Sequence, residues 1–396
     1  MQLIFFCHPP FMQSQSMPRF ARMIGEAMKE RGHQVEYWAP QGRVHKLLSE
    51  TRLASLTSLA KWAGYIDQYI LFPIEVKLRL LPRRQANTLY VFCDQALGPW
   101  VPLVAQHPHV VHAHDLLALR SALGLIAENP TSFTGQLYQR YIRRGFRQAK
   151  RFISVSKRTT RDLAQFGGVA AHASEVVYNG LNQAYQPMST QAAIDTLRQA
   201  GIPADERGHL LHIGGGQWYK NTAGVIRLYA HYAAQHPNPL PLLMVSPSPQ
   251  SVDVQDALAT VPAQGSVSFK QGLGNEAIQA AYSLAQLFLF PSLAEGFGWP
   301  IIEAQACGCP VLTTDDAPMN EIGGPAARYL PLLQASMNID QWAQSGATII
   351  DEMINTQVAK DPDLIKQRIE WASQFTQERA IEAYERIYQS IVDKTP

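Results

Sequence analysis

"LFLFPSLAEGFGWPIIEAQACGCPVLTT", Leu287 to Thr314, decides the fold. The apolar run LFLF reads as a buried parallel strand, and Pro291 ends it. LAEGFG is then the loop at its carboxyl end. Pro300 suits the first helical position, where its missing N–H costs nothing. PIIEAQAC therefore opens a helix that Gly308 to Pro310 closes, and PVLTT is the next strand. Strand, loop, helix and strand at this spacing form a βαβ unit of a parallel sheet. Ligands of such sheets bind beyond the carboxyl ends of the strands. Glu295, in the loop, and Glu303, in the first turns of the helix, both fall there. Seven residues separate the two. They can be read as a general acid and base, as metal ligands, or as acceptors for the hydroxyls of a bound ligand.

The same rhythm runs through the rest of the chain. In the first half the strand candidates are LIFFC, QVEYWA, LYVFC, HVVHAH, RFISVS and EVVYN, with amphipathic stretches such as RFARMIGEAMKERGH between them. A second series begins near His209: HLLHIGG, LLMVS, SVSFK, LFLFPS, PVLTT and ARYLP. The polar stretch Pro187 to Gly208 lacks strand periodicity and reads as the boundary. The expected architecture is α/β, two doubly wound Rossmann-like domains facing each other across a cleft. Residues 1–190 form the first and 205–375 the second. In the C-terminal segment, Ala380, Ile381, Tyr384, Ile387, Tyr388 and Ile391 recur on one helical face.

Composition removes several classes. A chain of 396 residues exceeds one hydrophobic core. A formal charge of +2 gives no global field for nucleic acid. Cys307 and Cys309 stand too close for a zinc knuckle, and the four cysteines read as reduced thiols of a cytosolic protein. MQLIFFCHPPF lacks a basic n-region and reads as a buried strand. SLTSLAKWAGYIDQYILFPIEVKLRLLPRR comes nearest to a membrane span, but Lys61, Asp67 and Glu75 interrupt it.

A helix start preceded by Gly296 and Gly298 is an anion site. Carboxylates touching a phosphate would repel it, so both are better placed on hydroxyls to either side. A sugar nucleotide has that layout: Glu295 on the sugar ring, backbone amides of the Gly296-Phe297-Gly298 loop and helix start on the diphosphate, Glu303 on the ribose. A glutamate in a first helical turn also complements the helix dipole, so each carboxylate alone says little. Lys220 follows HIGGG and can meet a diphosphate as a point charge. The spacing matches neither the Walker loop nor the dinucleotide fingerprint. His112 and His114 end the strand HVVHAHD. His112 suits a satisfied core histidine, and His114, nearer the loop, is the candidate site residue.

Glu-Gly-Phe-Gly-Trp-Pro-Ile-Ile-Glu resembles the Glu-(seven residues)-Glu signature of the retaining, GT-B fold, family 4 glycosyltransferases. FISVSKRTTRDLAQFG, EVVYNGLN, HIGGGQWYKN, NEAIQAAYSLAQLFLFPS and VVHAHD resemble other segments of that family, in family order. The resemblance implies a C-terminal helix, residues 376–396, returning to the N-terminal, acceptor-binding domain. It implies donor contacts from Gly214, Gly215, Lys220, Asn221, Gly296, Phe297, Gly298 and Glu303, and catalytic roles for Glu295, His114 and Lys220. The sequence departs from the family in two places. Gly215, Gly216 and Gln217 stand where an arginine is frequent, and Pro9, Pro10, Ser14 and Ser16 occupy a first loop where Gly-Gly is frequent.

The expected reaction is hexosyl transfer, of mannose or another hexose, from a GDP- or UDP-sugar to a hydroxyl of a glycan or lipid-linked acceptor in envelope polysaccharide synthesis. Neither cofactor nor metal is expected, because Asp315 and Asp316 are adjacent and read as turn chemistry. Arg140, Arg143, Arg144, Arg147, Lys150 and Arg151, with Lys77, Arg79, Arg83 and Arg84, suggest contact with an anionic membrane surface from the cytoplasmic side. The rivals are a nucleotide-sugar epimerase and a non-catalytic nucleotide-sugar binding protein.

Overall fold

The structure is a computed structural model that describes residues 1–12, 16–49, 57–81, 87–247 and 250–394. It divides into two compact units, Met1–Tyr178 with Glu378–Pro396, and Asn179–Gln377. The first unit holds a six-stranded parallel sheet: β1 (Gln2–Phe6), β2 (Gln34–Trp38), β3 (Thr88–Phe92), β4 (His109–Ala113), β5 (Phe152–Ser154) and β6 (Ser174–Val176). Their order is β2-β1-β3-β4-β5-β6. The central strands β3 and β4 are buried along their whole length, and apart from Thr88, His109 and His112 their side chains are apolar.

The helix Gln377–Asp393 completes this unit. Its buried side chains are Ala380, Ile381, Tyr384, Ile387, Tyr388 and Ile391, the same apolar face visible in the sequence. They join the core of β1, β3 and β4. Polar ties fix the helix in place. Glu385 accepts from Arg31 at 2.8 Å and from His33 at 2.8 Å. Tyr388 shares a hydrogen bond of 2.6 Å with His112.

The second unit holds β7 (His209–Ile213), β8 (Leu242–Val245), β9 (Val267–Lys270), β10 (Ala285–Phe290), β11 (Val311–Thr314) and β12 (Ala327–Leu330), all parallel, in the order β12-β11-β10-β7-β8-β9. The polar stretch read as a linker does not separate the units, since the division falls after Tyr178. Within it the helix Thr190–Gln199 buries Ala193, Ile194 and Leu197 and packs on the helix Asn275–Leu284. The Met188 amide donates to Ser283 Oγ at 3.1 Å. Three apolar residues at helical spacing were enough to dock a segment whose composition is polar.

Strand order locates the sites. In each sheet the chain reverses direction of growth beside its first strand, and ligands bind at that switch point. In the second unit it lies between β7 and β10, and in the first between β1 and β3.

Candidate functional site

At the switch point of the second unit, the loops leaving β7 and β10 meet. The Leu293 amide donates to the Tyr219 carbonyl at 2.8 Å, joining the two. Asn221, in the left-handed region at φ 54°, ends the short turn Trp218–Lys220 and starts the helix Thr222–Ala234. Its Nδ2 donates to the Pro291 carbonyl at 3.0 Å. These contacts aim Lys220 across the switch point, where its Nζ lies 2.7 Å from Glu295 Oε1. Lys220 is 13% and Glu295 10% exposed, so water screens the pair weakly. The Lys220 ammonium also lies 4.7 Å from the ring centre of Phe290.

The loop then turns into the helix Trp299–Ala306 through Gly298, whose φ of 106° is readily adopted only by glycine. The helix starts at Trp299, so Pro300 takes its second position rather than its first, and no side chain caps it. Trp299 Nε1 donates to the Gly180 carbonyl at 3.0 Å, and Phe297 is buried against Trp299 and Phe375. Gly214 leaves β7 where a Cβ would stand 2.8 Å from His212 Nε2 and 3.3 Å from Lys220 Cβ. A side chain there would collide with His212 and crowd the base of the lysine. Gly215 lies next to Gly216, whose φ is 77°.

Glu303 is buried one turn into the helix, and its Oε2 accepts from Tyr282 OH at 3.1 Å. Burial lifts its carboxyl to about 7, against the opposing effects of the Tyr282 hydrogen bond and the Lys220 charge. Lys220 thus acts electrostatically on both glutamates. His212 is also buried here. It donates from Nδ1 to the Leu289 carbonyl at 2.9 Å, and its Nε2 has no hydrogen-bond partner among the described residues. Burial, more than the nearby lysine, pushes it down to about 4. Ser292 Oγ is buried without a partner among the described residues too. Buried polar atoms left in this state at a strand end are candidates for ligand or water contact. The sequence reading missed both, because burial at the switch point follows from strand order. Among the described residues, no group of three or more His, Cys, Asp or Glu side chains is placed to hold a metal ion.

His114 lies in the first unit, at the end of β4. Its Nε2–H donates to the Cys93 carbonyl at 2.9 Å. Gln95 holds its backbone amide at 3.0 Å, and the ring stands edge-on to Phe20 at 4.6 Å. His112 packs edge-on to the same Phe20 ring at 5.4 Å but is fully in the core, and burial pushes it down to about 3. Ser14 of the first loop, and Arg83 and Arg84 of the basic stretch, lie outside the described residues.

A second pair went unread in the sequence. His8 follows β1, Asp94 follows β3, and His8 Nε2 donates to Asp94 Oδ2 at 2.8 Å across the first unit's switch point. Burial raises the Asp94 carboxyl. The hydrogen bond and charge of His8, with the charge of His114 and the Ala96 amide, outweigh this and hold it below the usual range. A carboxylate on one imidazole nitrogen fixes the orientation of the ring. Both residues directly follow strands legible in the sequence, so position was the available signal.

Residues 193–344 match the family Glycosyl transferases group 1, and residues 17–185 match Glycosyltransferase Family 4. The O-antigen chain mannosyltransferase B of Escherichia coli is 25% identical over 179 residues, 45% of this chain and 46% of that protein. The MMP alpha-(1->4)-mannosyltransferase of Mycolicibacterium hassiacum is 22% identical over 341 residues, 77% of this chain and 79% of that protein. The chain spans about half the length of the O-antigen relatives it matches. Among solved structures, Anabaena HepE in complex with UDP and glucose has a TM-score of 0.66 at 17% identity, covering 98% of this chain and 100% of that one. At that identity the likeness is one of fold.

Proposed function

The chain belongs to the family 4 glycosyltransferases of GT-B fold, and we propose that it moves a hexosyl unit, mannose foremost, from a GDP- or UDP-sugar to a hydroxyl of a glycan or lipid-linked acceptor. Transfer retains the anomeric configuration and serves cell-envelope polysaccharide synthesis on the cytoplasmic side of an anionic membrane, with no metal. The observation that carries this reading is the Lys220–Glu295 contact of 2.7 Å at the switch point, beside the uncapped helix start at Trp299. It puts a cation for a diphosphate and a carboxylate for a sugar hydroxyl within one ligand's reach. The mannosyl preference leans on the mannosyltransferases among its relatives.

In this reading Gly214 and Gly215 give backbone access to the diphosphate, and Asn221 fixes the loop that carries Lys220. Gly296, Phe297 and Gly298 shape the turn that delivers the helix start to the same anion. Glu303 takes the ribose hydroxyls, and Glu295 orients the sugar. The bond from C1 to the diphosphate oxygen breaks as the acceptor oxygen bonds C1 from the same face. The acceptor's proton passes to the departing diphosphate. Charge growing on that group is stabilised by Lys220 and the helix start, both already in place. His114, in the first unit, keeps the catalytic role that the family resemblance implies for it.

Thermal-shift measurement with GDP-mannose, UDP-glucose and UDP-N-acetylglucosamine tests the donor half. A donor held at about a hundred times its Kd stabilises the native state by about 2.7 kcal/mol. At least one donor should shift the wild type strongly and Lys220→Ala weakly. No shift with any nucleotide sugar sinks the proposal. Conversion of the donor sugar without acceptor identifies an epimerase instead. Binding with no turnover against a broad acceptor panel identifies a binding protein.

One observation favours a second reading. The His8–Asp94 pair has the geometry of a general base and its orienting carboxylate. If His8 takes the acceptor's proton, attack comes from the opposite face and the product is inverted. The product anomer, read by NMR, separates the two.

A further inference from the structure

The apolar segment that came nearest to a membrane span folds as a helical run along the outside of the first unit, Thr57–Ile66, a π turn Asp67–Leu71, and Phe72–Leu80. Its inner face buries Ala63, Asp67, Gln68, Phe72 and Val76. Its outer face leaves Trp62, Ile66, Ile70, Ile74 and Leu78 in water, with Leu81 just beyond. Four-residue steps keep these side chains in one stripe. Trp62 is 65% and Leu81 80% exposed, against the few per cent typical of the sheet residues.

A second helix, Phe133–Phe146, repeats the pattern with Phe133, Leu137 and Tyr141 exposed. Tyrosines join the two: Tyr69 OH lies 2.7 Å from Tyr138 OH, and the Tyr69 ring stands edge-on to Tyr141 at 5.5 Å. A cavity of ≈ 590 Å³ opens between them, lined largely by Trp62, Tyr65, Tyr69, Tyr138 and Tyr141. Exposed apolar surface so contiguous marks an interaction site.

Charge decides what covers it. The exposed charged side chains of the two helices are Lys61, Lys77, Arg140 and Arg144. Their two acids are withdrawn. Asp67 is buried and accepts from the Val44 and His45 amides at 3.0 and 2.9 Å, and Glu75 pairs with Arg79 and Arg43. A second copy of this face would meet it with like charge. An anionic lipid surface would meet it with opposite charge and supply the apolar layer that the stripe requires.

We propose that this two-helix face inserts its aliphatic and aromatic side chains into the interfacial layer of an anionic phospholipid bilayer, with Lys61, Lys77, Arg140 and Arg144 on the headgroups. The stripe, aromatic body and cationic flank have the composition of an interfacial amphipathic surface. The proposal differs from electrostatic adhesion of the basic segments, because most of the contact is apolar. It does not depend on the transferase reading, whose readout is donor binding in the second unit.

The test is co-sedimentation of the full chain with phosphatidylcholine vesicles carrying about a third phosphatidylglycerol, at about 0.05 M and about 0.5 M salt, where screening lengths differ roughly threefold. The wild type should bind at both, more weakly at high salt. A variant carrying Trp62→Ser, Ile70→Ser and Leu78→Ser should lose about tenfold or more in binding at both. A variant carrying Lys61→Ala, Lys77→Ala and Arg140→Ala should lose binding mainly at low salt. These positions are exposed, so all variants should melt like wild type and keep the donor-induced thermal shift. Binding abolished by salt alone, or a triple-serine variant that binds like wild type, overturns the proposal. A wild-type dimer that the serine substitutions turn into a monomer, with no vesicle binding, assigns the face to a second copy and overturns it too.

Discussion

Glu303→Gln should stabilise the protein at pH 8 and not at pH 4. Burial lifts the Glu303 carboxyl from its ordinary 4.5 to about 7. Below pH 4.5 this carboxyl is protonated in both the folded and unfolded chain and contributes no pH dependence. Between pH 4.5 and 7 the folded state keeps a proton that the unfolded chain has released, so stability falls as pH rises. Above 7 the folded state holds a buried carboxylate. At about 1.4 kcal/mol per pH unit the accumulated penalty is about 3 kcal/mol. Glutamine has no such titration, and its oxygen can still accept from Tyr282, which lies 3.1 Å from Glu303 Oε2. The melting temperature of the variant minus that of wild type should therefore rise by about 6–12 °C between pH 4 and pH 8, using about 2–4 °C per kcal/mol for a unit of this size. Differential scanning fluorimetry of both proteins across that range reads it directly, because all other titrating groups cancel in the difference. A difference that does not change with pH would refute the buried, proton-retaining carboxyl.

Glu303→Ala should mainly weaken donor binding, by about tenfold or more for lost hydrogen bonds to a carboxylate, whereas Glu295→Ala should mainly lower turnover. Isothermal titration and kcat on the two variants check this, and matching behaviour would end the division of roles. Lys220→Ala removes the ammonium that lies 2.7 Å from the nearly buried Glu295 carboxylate, so it should lower the melting temperature as well as donor affinity. The stability cost should approach the about 3 kcal/mol seen for broken buried pairs. Tyr388→Phe should cost about 1–3 kcal/mol by chemical denaturation, because it leaves His112 Nε2 without its partner in the core. Transfer activity should survive EDTA, and its loss with rescue by Mn²⁺ would contradict the metal-free reading.

The central strands were legible because parallel strands buried on both faces are largely apolar along their length, as LFLF and LYVF are. The C-terminal helix was legible because six buried residues share one face. Contacts set by strand order were not legible. Lys220 and Glu295 lie 75 residues apart and His8 and Asp94 lie 86 apart, and each pair meets only because β7 lies beside β10 and β1 beside β3. The hydroxyl that holds Glu303 comes from Tyr282, on a helix whose sequence pattern gives no sign of it. The polar stretch at Pro187–Gly208 misled because composition reported its exposed residues, whereas Ala193, Ile194 and Leu197 decided where it docks. The segment Thr57–Leu80 was read for its length against a bilayer. Its meaning lies in which face stays exposed, and that depends on how it packs.

The central claim is that the switch point of the second unit holds a nucleotide sugar whose sugar is transferred with retention. NMR of the reaction at natural abundance tests it most directly, following C1 of the first-formed product beside release of the nucleoside diphosphate. The account predicts equal amounts of nucleoside diphosphate and of a glycoside with the donor's anomeric configuration, lost in Lys220→Ala. A first-formed product of inverted configuration, or donor sugar altered without diphosphate release, would contradict it.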